Sequence, residues 1–111
     1  MVERFGFEVK NNISKYIKKV NLSNNEINEI SFFLYKTEIK EIFLSYNKLE
    51  NITFFMPGRK LNYLDVSDNP KLSNISTIDV VIIDTIKSDK KTIPIKFINP
   101  PVIRAIPDKV N

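Results

Sequence analysis

The chain has 111 residues, 42% of them hydrophobic, with a formal net charge of +4 and neither cysteine nor histidine. This length suits one domain with a single core, and the hydrophobic fraction excludes a disordered chain. Without histidine and cysteine the chain lacks the commonest general base, the thiol nucleophile and His/Cys zinc sites, so we expect a non-enzymatic protein without cofactor or metal.

The same composition predicts where the protein resides. Absence of cysteine favours a reducing compartment, and the charged N-terminal stretch MVERFGFEVKNN lacks the apolar core of a secretory signal. No apolar run is long enough to cross a membrane. We therefore expect a cytoplasmic protein, with the nucleus as an alternative. Lysine, isoleucine and asparagine all have AT-rich codons, so genome composition alone can account for the basic charge.

The N-terminal segment, residues 1–16, is predicted to cap the structure. FGFEV alternates apolar and polar residues as a strand does. Asn12 has the residue type and position of an N-cap for a short turn of helix that leads to Ile17.

An internal repeat of 22 residues follows. The stretch from Ile17 to Phe33 aligns with the stretch from Ile39 to Phe55, and a third unit begins at Leu61. The apolar positions that align in the first two units are Ile17 with Ile39, Val20 with Ile42, Leu22 with Leu44, Ile27 with Leu49, and Ile30 with Ile52. The third unit has one extra residue after Asn69, which moves its next apolar positions to Leu72 and Ile75.

The repeated pattern, L-x-x-L-x-L-x-x-N-x-L, resembles the leucine-rich repeat family. The resemblance implies an α/β-type solenoid: a right-handed coil with a parallel sheet on its concave face, irregular or short helical or 3-10 return segments, and a cap at each end. The strands would be VNL, IFL and LDV. We expect one domain over 1–111, with repeats at 17–38, 39–60 and 61–82 and a degenerate repeat plus C-terminal cap at 83–111.

Two further features of the repeat have structural interpretations. The aligned asparagines Asn25, Asn47 and Asn69 should form a ladder, because the family's asparagine bonds backbone groups of its turn and of the neighbouring coil. The Phe32-Phe33 and Phe54-Phe55 pairs are expected to fill the far side of the core.

The C-terminal part is less regular. Continuing the register gives Ile83 and Ile86 as inward residues of a strand near 83–87. Alternation at Ile93, Ile95 and Phe97 predicts a final strand, and Pro94 favours an edge position for it.

Side chains that point outward from the strands are the candidate binding residues, since strand side chains alternate between faces. They are Lys19, Asn21, Glu41, Phe43, Tyr46, Tyr63, Asp65 and Lys87. Aromatic residues exposed on such a face are typical interface anchors, and Phe43, Tyr46 and Tyr63 should cluster there. The alternative is that the aromatic rings pack sideways against one another without any partner.

We therefore predict a protein-interaction module, monomeric or homodimeric, whose partner is another protein; the AT-rich composition adds the hypothesis of a viral or parasite adaptor that engages a host protein. Binding of nucleic acid or another polyanion through lysines is an alternative, disfavoured by the acidic residues on the same face and by the presence of only three arginines. Self-association as a structural protein is another alternative.

Overall fold

The computed structural model of the protein describes residues 6–10, 16–34, 38–55, 60–77, 82–88, 96–98 and 102–103. These residues form ten strands and contain no helix. The strands are β1 (Gly6–Lys10), β2 (Lys19–Asn21), β3 (Glu29–Phe33), β4 (Glu41–Phe43), β5 (Asn51–Phe55), β6 (Lys60–Asp65), β7 (Asn74–Thr77), β8 (Ile82–Lys87), β9 (Lys96–Ile98) and β10 (Val102–Ile103). Nothing within the described ranges is a helix of the length and apolarity that a membrane span requires.

The strands alternate along the chain between two parallel sheets. Sheet A has the order β1-β3-β5-β7-β9, and sheet B has the order β10-β8-β6-β4-β2. Each turn of the chain thus contributes one strand to each sheet. From β2 to β8, partners in sheet B are 22 residues apart, as in Lys19 with Glu41 and Glu41 with Tyr63. The sequence repeat is therefore one complete coil of a stack.

The predicted α/β architecture, with irregular or helical return segments, is wrong. The return segments are β3, β5 and β7, and they form sheet A. Their sequences explain this, because the buried residues recur with a period of two, as in Ile30 and Phe32 or Ile52 and Phe54. A helix would need a period near 3.6 to place its apolar residues on one face.

The core lies between the two sheets. Leu44, Leu64 and Phe54 are all 0% exposed, and apolar residues of successive coils stack in columns. The Phe32 and Phe54 rings stack with their centroids 5.2 Å apart and their planes 14° from parallel. The second phenylalanine of each pair is only partly buried, because Phe33 occupies the opposite face of β3; the prediction that both fill the core was wrong.

The one-residue insertion in the third coil is absorbed before sheet A. Leu72 N donates to Asn69 O across 3.1 Å in the turn, and β7 then pairs with β5 at an offset of 23, as in Ile52 with Ile75. Leu72 and Ile75 are both 0% exposed, which confirms their predicted inward placement.

The outer strands agree with several predictions. β1 contains most of the alternating N-terminal segment and pairs with β3. β8 includes the strand predicted at 83–87, and Ile83 and Ile86 are buried as expected. Phe97 lies in β9. Asn12, Ile93 and Ile95 lie outside the described residues.

Candidate functional site

The outer face of sheet B consists of two rows of side chains that run across the strands. Strand pairing brings the members of each row side by side. One row is Lys19, Glu41, Tyr63 and Thr85, and the other is Asn21, Phe43, Asp65 and Lys87. These rows contain seven of the eight predicted binding residues, because strand alternation places odd-numbered residues outward in β2 and β4.

Part of this face is a compact cluster of aromatic and charged groups. The Phe43 and Tyr63 rings lie 5.6 Å apart between centroids and are tilted by 46°. Lys19 Nζ lies 5.5 Å from the Phe43 ring centroid and 3.9 Å from Glu41 Oε1. We call Lys19, Glu41, Phe43 and Tyr63 the aromatic patch. It offers a partly buried apolar surface bordered by one positive and one negative charge.

Tyr46 lies in the turn after β4 and is 59% exposed. Its backbone has φ of 56°, in the left-handed region, as do the equivalent Asn24 and Asp68 in the neighbouring coils, at 61° and 56°. Asparagine and aspartate tolerate this conformation, whereas a bulky side chain is uncommon there. The backbone therefore does not explain why the second coil has tyrosine at this position.

Two predicted binding residues have local structural partners. Asn21 Oδ1 accepts a hydrogen bond from Ser23 N at 3.0 Å. Asp65 Oδ1 accepts from Ser67 N at 3.0 Å and from Ser67 Oγ at 2.7 Å, and the residue is only 8% exposed. Both side chains hold the turn that ends their strand. Phe43, in the same row, has no side-chain oxygen that could accept such a bond, so it does not hold its turn in the way that Asn21 and Asp65 do.

Asn47 and Asn69 form the expected ladder between coils. Asn69 Nδ2 donates to Val66 O and Ser67 O in its own coil and to Leu44 O in the preceding coil, at 3.2, 3.0 and 2.9 Å. Asn69 Oδ1 accepts from Leu49 N of the preceding coil at 3.0 Å. Asn47 repeats this arrangement one coil earlier.

Asn25 differs from these two, because it is exposed and its described bonds stay within its own coil.

Several lysines are paired with acidic groups. Lys48 Nζ lies 2.9 Å from Glu26 Oε1, and Lys60 Nζ lies 3.1 Å from Asp84 Oδ2. The hydrogen bond and the charge of Lys48 lower the pKa of Glu26, and Glu26 raises the pKa of Lys48 in the same way. These ion pairs, like that of Lys19 with Glu41, leave fewer unpaired positive charges on the surface for a polyanion to contact.

The outer face of sheet A was not predicted from the sequence. One of its rows has small polar residues, Ser31, Thr53 and Ser76, and another pairs Phe33 with Phe55. In another row, Asn74 Nδ2 donates to Asn51 Oδ1 at 2.8 Å, which links neighbouring coils. The signal for this face was the alternation in EISFF and NITFF, which predicts strands whose alternate residues face outward.

No family model, curated protein or solved structure matches this chain.

Proposed function

We propose that this protein is a non-enzymatic interaction module that binds a partner protein through the outer face of sheet B. The observation that carries the proposal is Tyr46, an exposed aromatic side chain on a left-handed backbone position where the neighbouring coils have asparagine and aspartate. Residues held in unfavourable conformations often serve function rather than folding. Tyr46 follows the strand that supplies Phe43 to the aromatic patch.

The composition of the face supports a protein partner over a polyanion. The aromatic patch combines Phe43 and Tyr63 with the opposite charges of Lys19 and Glu41. Tyrosine and phenylalanine bury large areas at interfaces, and charges of both signs give orientation and specificity. A polyanion would instead favour an unbroken positive surface.

We also propose that the repeats are of the leucine-rich type, in a form whose return segments are strands. The support is the ladder of Asn47 and Asn69, which bonds each coil to the one before it. This proposal concerns the architecture alone, since one repeat scaffold can serve many functions.

Affinity capture from the native cell tests the proposed function. The bait would be the full chain, compared with Phe43→Ala plus Tyr63→Ala on sheet B and with Ser31→Ala plus Thr53→Ala on the outer face of sheet A. We expect the captured protein to bind at least about tenfold more weakly to the first double variant and normally to the second. Circular dichroism checks that both variants are folded. Equal binding to all three baits would exclude the outer face of sheet B.

A further inference from the structure

The β2 edge of sheet B is not covered by any strand that the structure describes. Among the described strands, β2 has a neighbour on one side only, which is β4. Ile17, Val20 and Leu22 are partly buried against the core. Their equivalents one coil later, Ile39, Ile42 and Leu44, are at most 2% exposed. The apolar columns of the core therefore continue to the β2 edge and remain partly accessible there.

The hydrogen bonds between coils show which backbone groups face this edge. Leu22 N donates to Phe43 O, and Leu44 N donates to Asp65 O, both at 2.8 Å. The carbonyls of the outward residues Phe43 and Asp65 thus accept from the coil before. In the same register, the carbonyl of Asn21 faces away from β4, toward the side where no described strand lies.

The amide groups of the edge follow the same rule. Glu41 N and Tyr63 N each donate to the preceding coil, to Lys18 O and Lys40 O, both at 3.2 Å. Strand pairing makes Lys19 the residue of β2 that is equivalent to Glu41 and Tyr63. Lys19 N therefore also faces the uncovered side. The β2 edge thus presents both a donor and an acceptor in the spacing of a parallel ladder.

Asn25 adds a side-chain group to this edge. Asn47 Oδ1 and Asn69 Oδ1 accept from Ile27 N and Leu49 N of the preceding coil. Asn25 Nδ2 donates to carbonyls of its own coil, and its Oδ1 has no hydrogen-bond donor among the described residues. Asn25 Oδ1 is therefore a further acceptor at the β2 edge, of the kind that a backbone amide of a preceding coil would satisfy.

We propose that the β2 edge binds an extended acidic-apolar segment of a partner protein, which adds to sheet B as a strand parallel to β2. Backbone pairing of this kind gives affinity, and alternate side chains give specificity. The segment would place apolar residues next to Val20 and Leu22 and an acidic residue next to Lys19. From its N-terminus to its C-terminus, the segment would have an acidic residue, an apolar residue, a residue of any type and a second apolar residue.

Charge selects this occupant over a second copy of the chain. Lys18 and Lys19 are both exposed on β2 or beside it. A two-fold pairing of two β2 edges would bring these lysines of both copies close together, whereas an acidic segment would neutralise them. The proposal shares only Lys19 with the aromatic patch; its other contacts are backbone groups of the β2 edge and the side chains of Val20 and Leu22, so Phe43→Ala plus Tyr63→Ala does not test it.

A peptide of residues 39–47, IKEIFLSYN, is a suitable probe for the full-length protein. It contains the pattern as Glu41, Ile42, Phe43 and Leu44, and in the chain the same segment occupies the preceding side of β6. Bound to the β2 edge in that register, the peptide's Leu44 N–H would donate to Asn21 O. The N–H of its Phe43 would face solvent. Methylation of one or the other nitrogen therefore gives a matched pair of peptides.

Fluorescence anisotropy of labelled peptides provides the readout. We expect the parent peptide to bind, N-methylation at Leu44 to weaken binding about tenfold or more, and N-methylation at Phe43 to leave it unchanged. Binding should also be lost with the protein variant Asn21→Pro, which removes an amide on the uncovered side and keeps the pairing of β2 with β4.

Three results would overturn the proposal. They are no binding of the parent peptide, equal binding of the two methylated peptides, and, in sedimentation without peptide, a dimer that Asn21→Pro dissociates. The last result would mean that a second copy occupies the β2 edge. Sedimentation and circular dichroism of Asn21→Pro also show whether that variant remains folded, and the methylated peptides test the register with the unmodified protein.

Discussion

The outer faces of the two sheets belong to the same coils, yet they differ in how their side chains vary. On sheet A, similar residues recur from coil to coil, as in Ser31, Thr53 and Ser76 or in Phe33 and Phe55. On sheet B, the row that begins at Lys19 continues with Glu41 and Tyr63, so neighbouring coils have side chains of different size and charge. Repetition on sheet A suits coil stacking, and variation on sheet B suits recognition.

The core cannot be the cause of this difference, because it is equally regular behind both faces. Leu44 and Leu64 stack behind sheet B, and Phe32 and Phe54 stack behind sheet A, all 0% exposed. Side chains that only complete the stack should affect stability when changed. Side chains that vary without a structural reason should affect binding. Each of the following substitutions tests this division.

The largest expected effect on stability is that of Asn69→Ala. Asn69 is 1% exposed, and its loss leaves Leu49 N–H without its side-chain acceptor and removes one of the two asparagine side chains that donate to Leu44 O. We expect the free energy of unfolding to fall by about 2–4 kcal/mol. Urea denaturation measures the change. Asn25→Ala is the matched control, because Asn25 is exposed and its bonds among the described residues stay within its own coil; a similar loss for both variants would contradict the ladder as the cause.

A smaller effect is expected on the outer face of sheet A. Asn74→Ala removes the hydrogen bond to Asn51 Oδ1 in a partly buried position, which should lower the free energy of unfolding by about 1 kcal/mol. Partner binding should not change. Weakened binding with unchanged stability would show that sheet A also takes part in recognition.

Tyr46→Asn should separate stability from binding. Asparagine tolerates the left-handed backbone better than tyrosine, so we expect the free energy of unfolding to rise by about 0.5–1 kcal/mol. The same substitution should weaken binding to the captured partner. Denaturation and titration calorimetry measure the two quantities. If Tyr46→Asn leaves affinity unchanged, Tyr46 lies outside the interface.

The smallest effect concerns the exposed pair of Glu26 and Lys48. Lys48 lowers the pKa of Glu26 from its ordinary value of 4.5, mainly through a hydrogen bond and then through its charge. The contribution of the pair is therefore complete above pH 4.5 and is lost as the pH falls through the lowered pKa. The substitution Lys48→Met should return the pKa of Glu26 toward 4.5, which NMR titration of Glu26 in both proteins measures. The same pKa in both proteins would show that the pair does not persist in solution.

Sheet B was predicted from the sequence, and sheet A was not. The inward residues of sheet B and the asparagine repeat at the same offset, so alignment of two units identifies them together. The strands themselves end one residue earlier than VNL and IFL suggest, because Leu22 and Leu44 follow β2 and β4. The side-chain bond of Asn21 to Ser23 N, in the turn after β2, is a local feature that a repeat pattern does not indicate.

The resemblance to leucine-rich repeats is one reason why sheet A was not predicted. It implied irregular or helical return segments, although the alternation of Ile30 and Phe32, repeated at Ile52 and Phe54, is a strand pattern. The proposed binding face is harder to predict from the sequence than the sheets are. The contact of Phe43 with Tyr63 followed from register, whereas the left-handed backbone of Tyr46 needed the structure, because local sequence does not reveal φ.

The most direct test of the division between the two faces is NMR mapping of the surface of this chain that the bound partner covers. Amide and side-chain resonances of the full chain are followed as the captured protein is added. We predict the largest shifts at Phe43, Tyr46 and Tyr63, with little change at Ser31 and Thr53 on sheet A. Shifts concentrated at Ser31 and Thr53, with Phe43 and Tyr63 unaffected, would contradict this prediction.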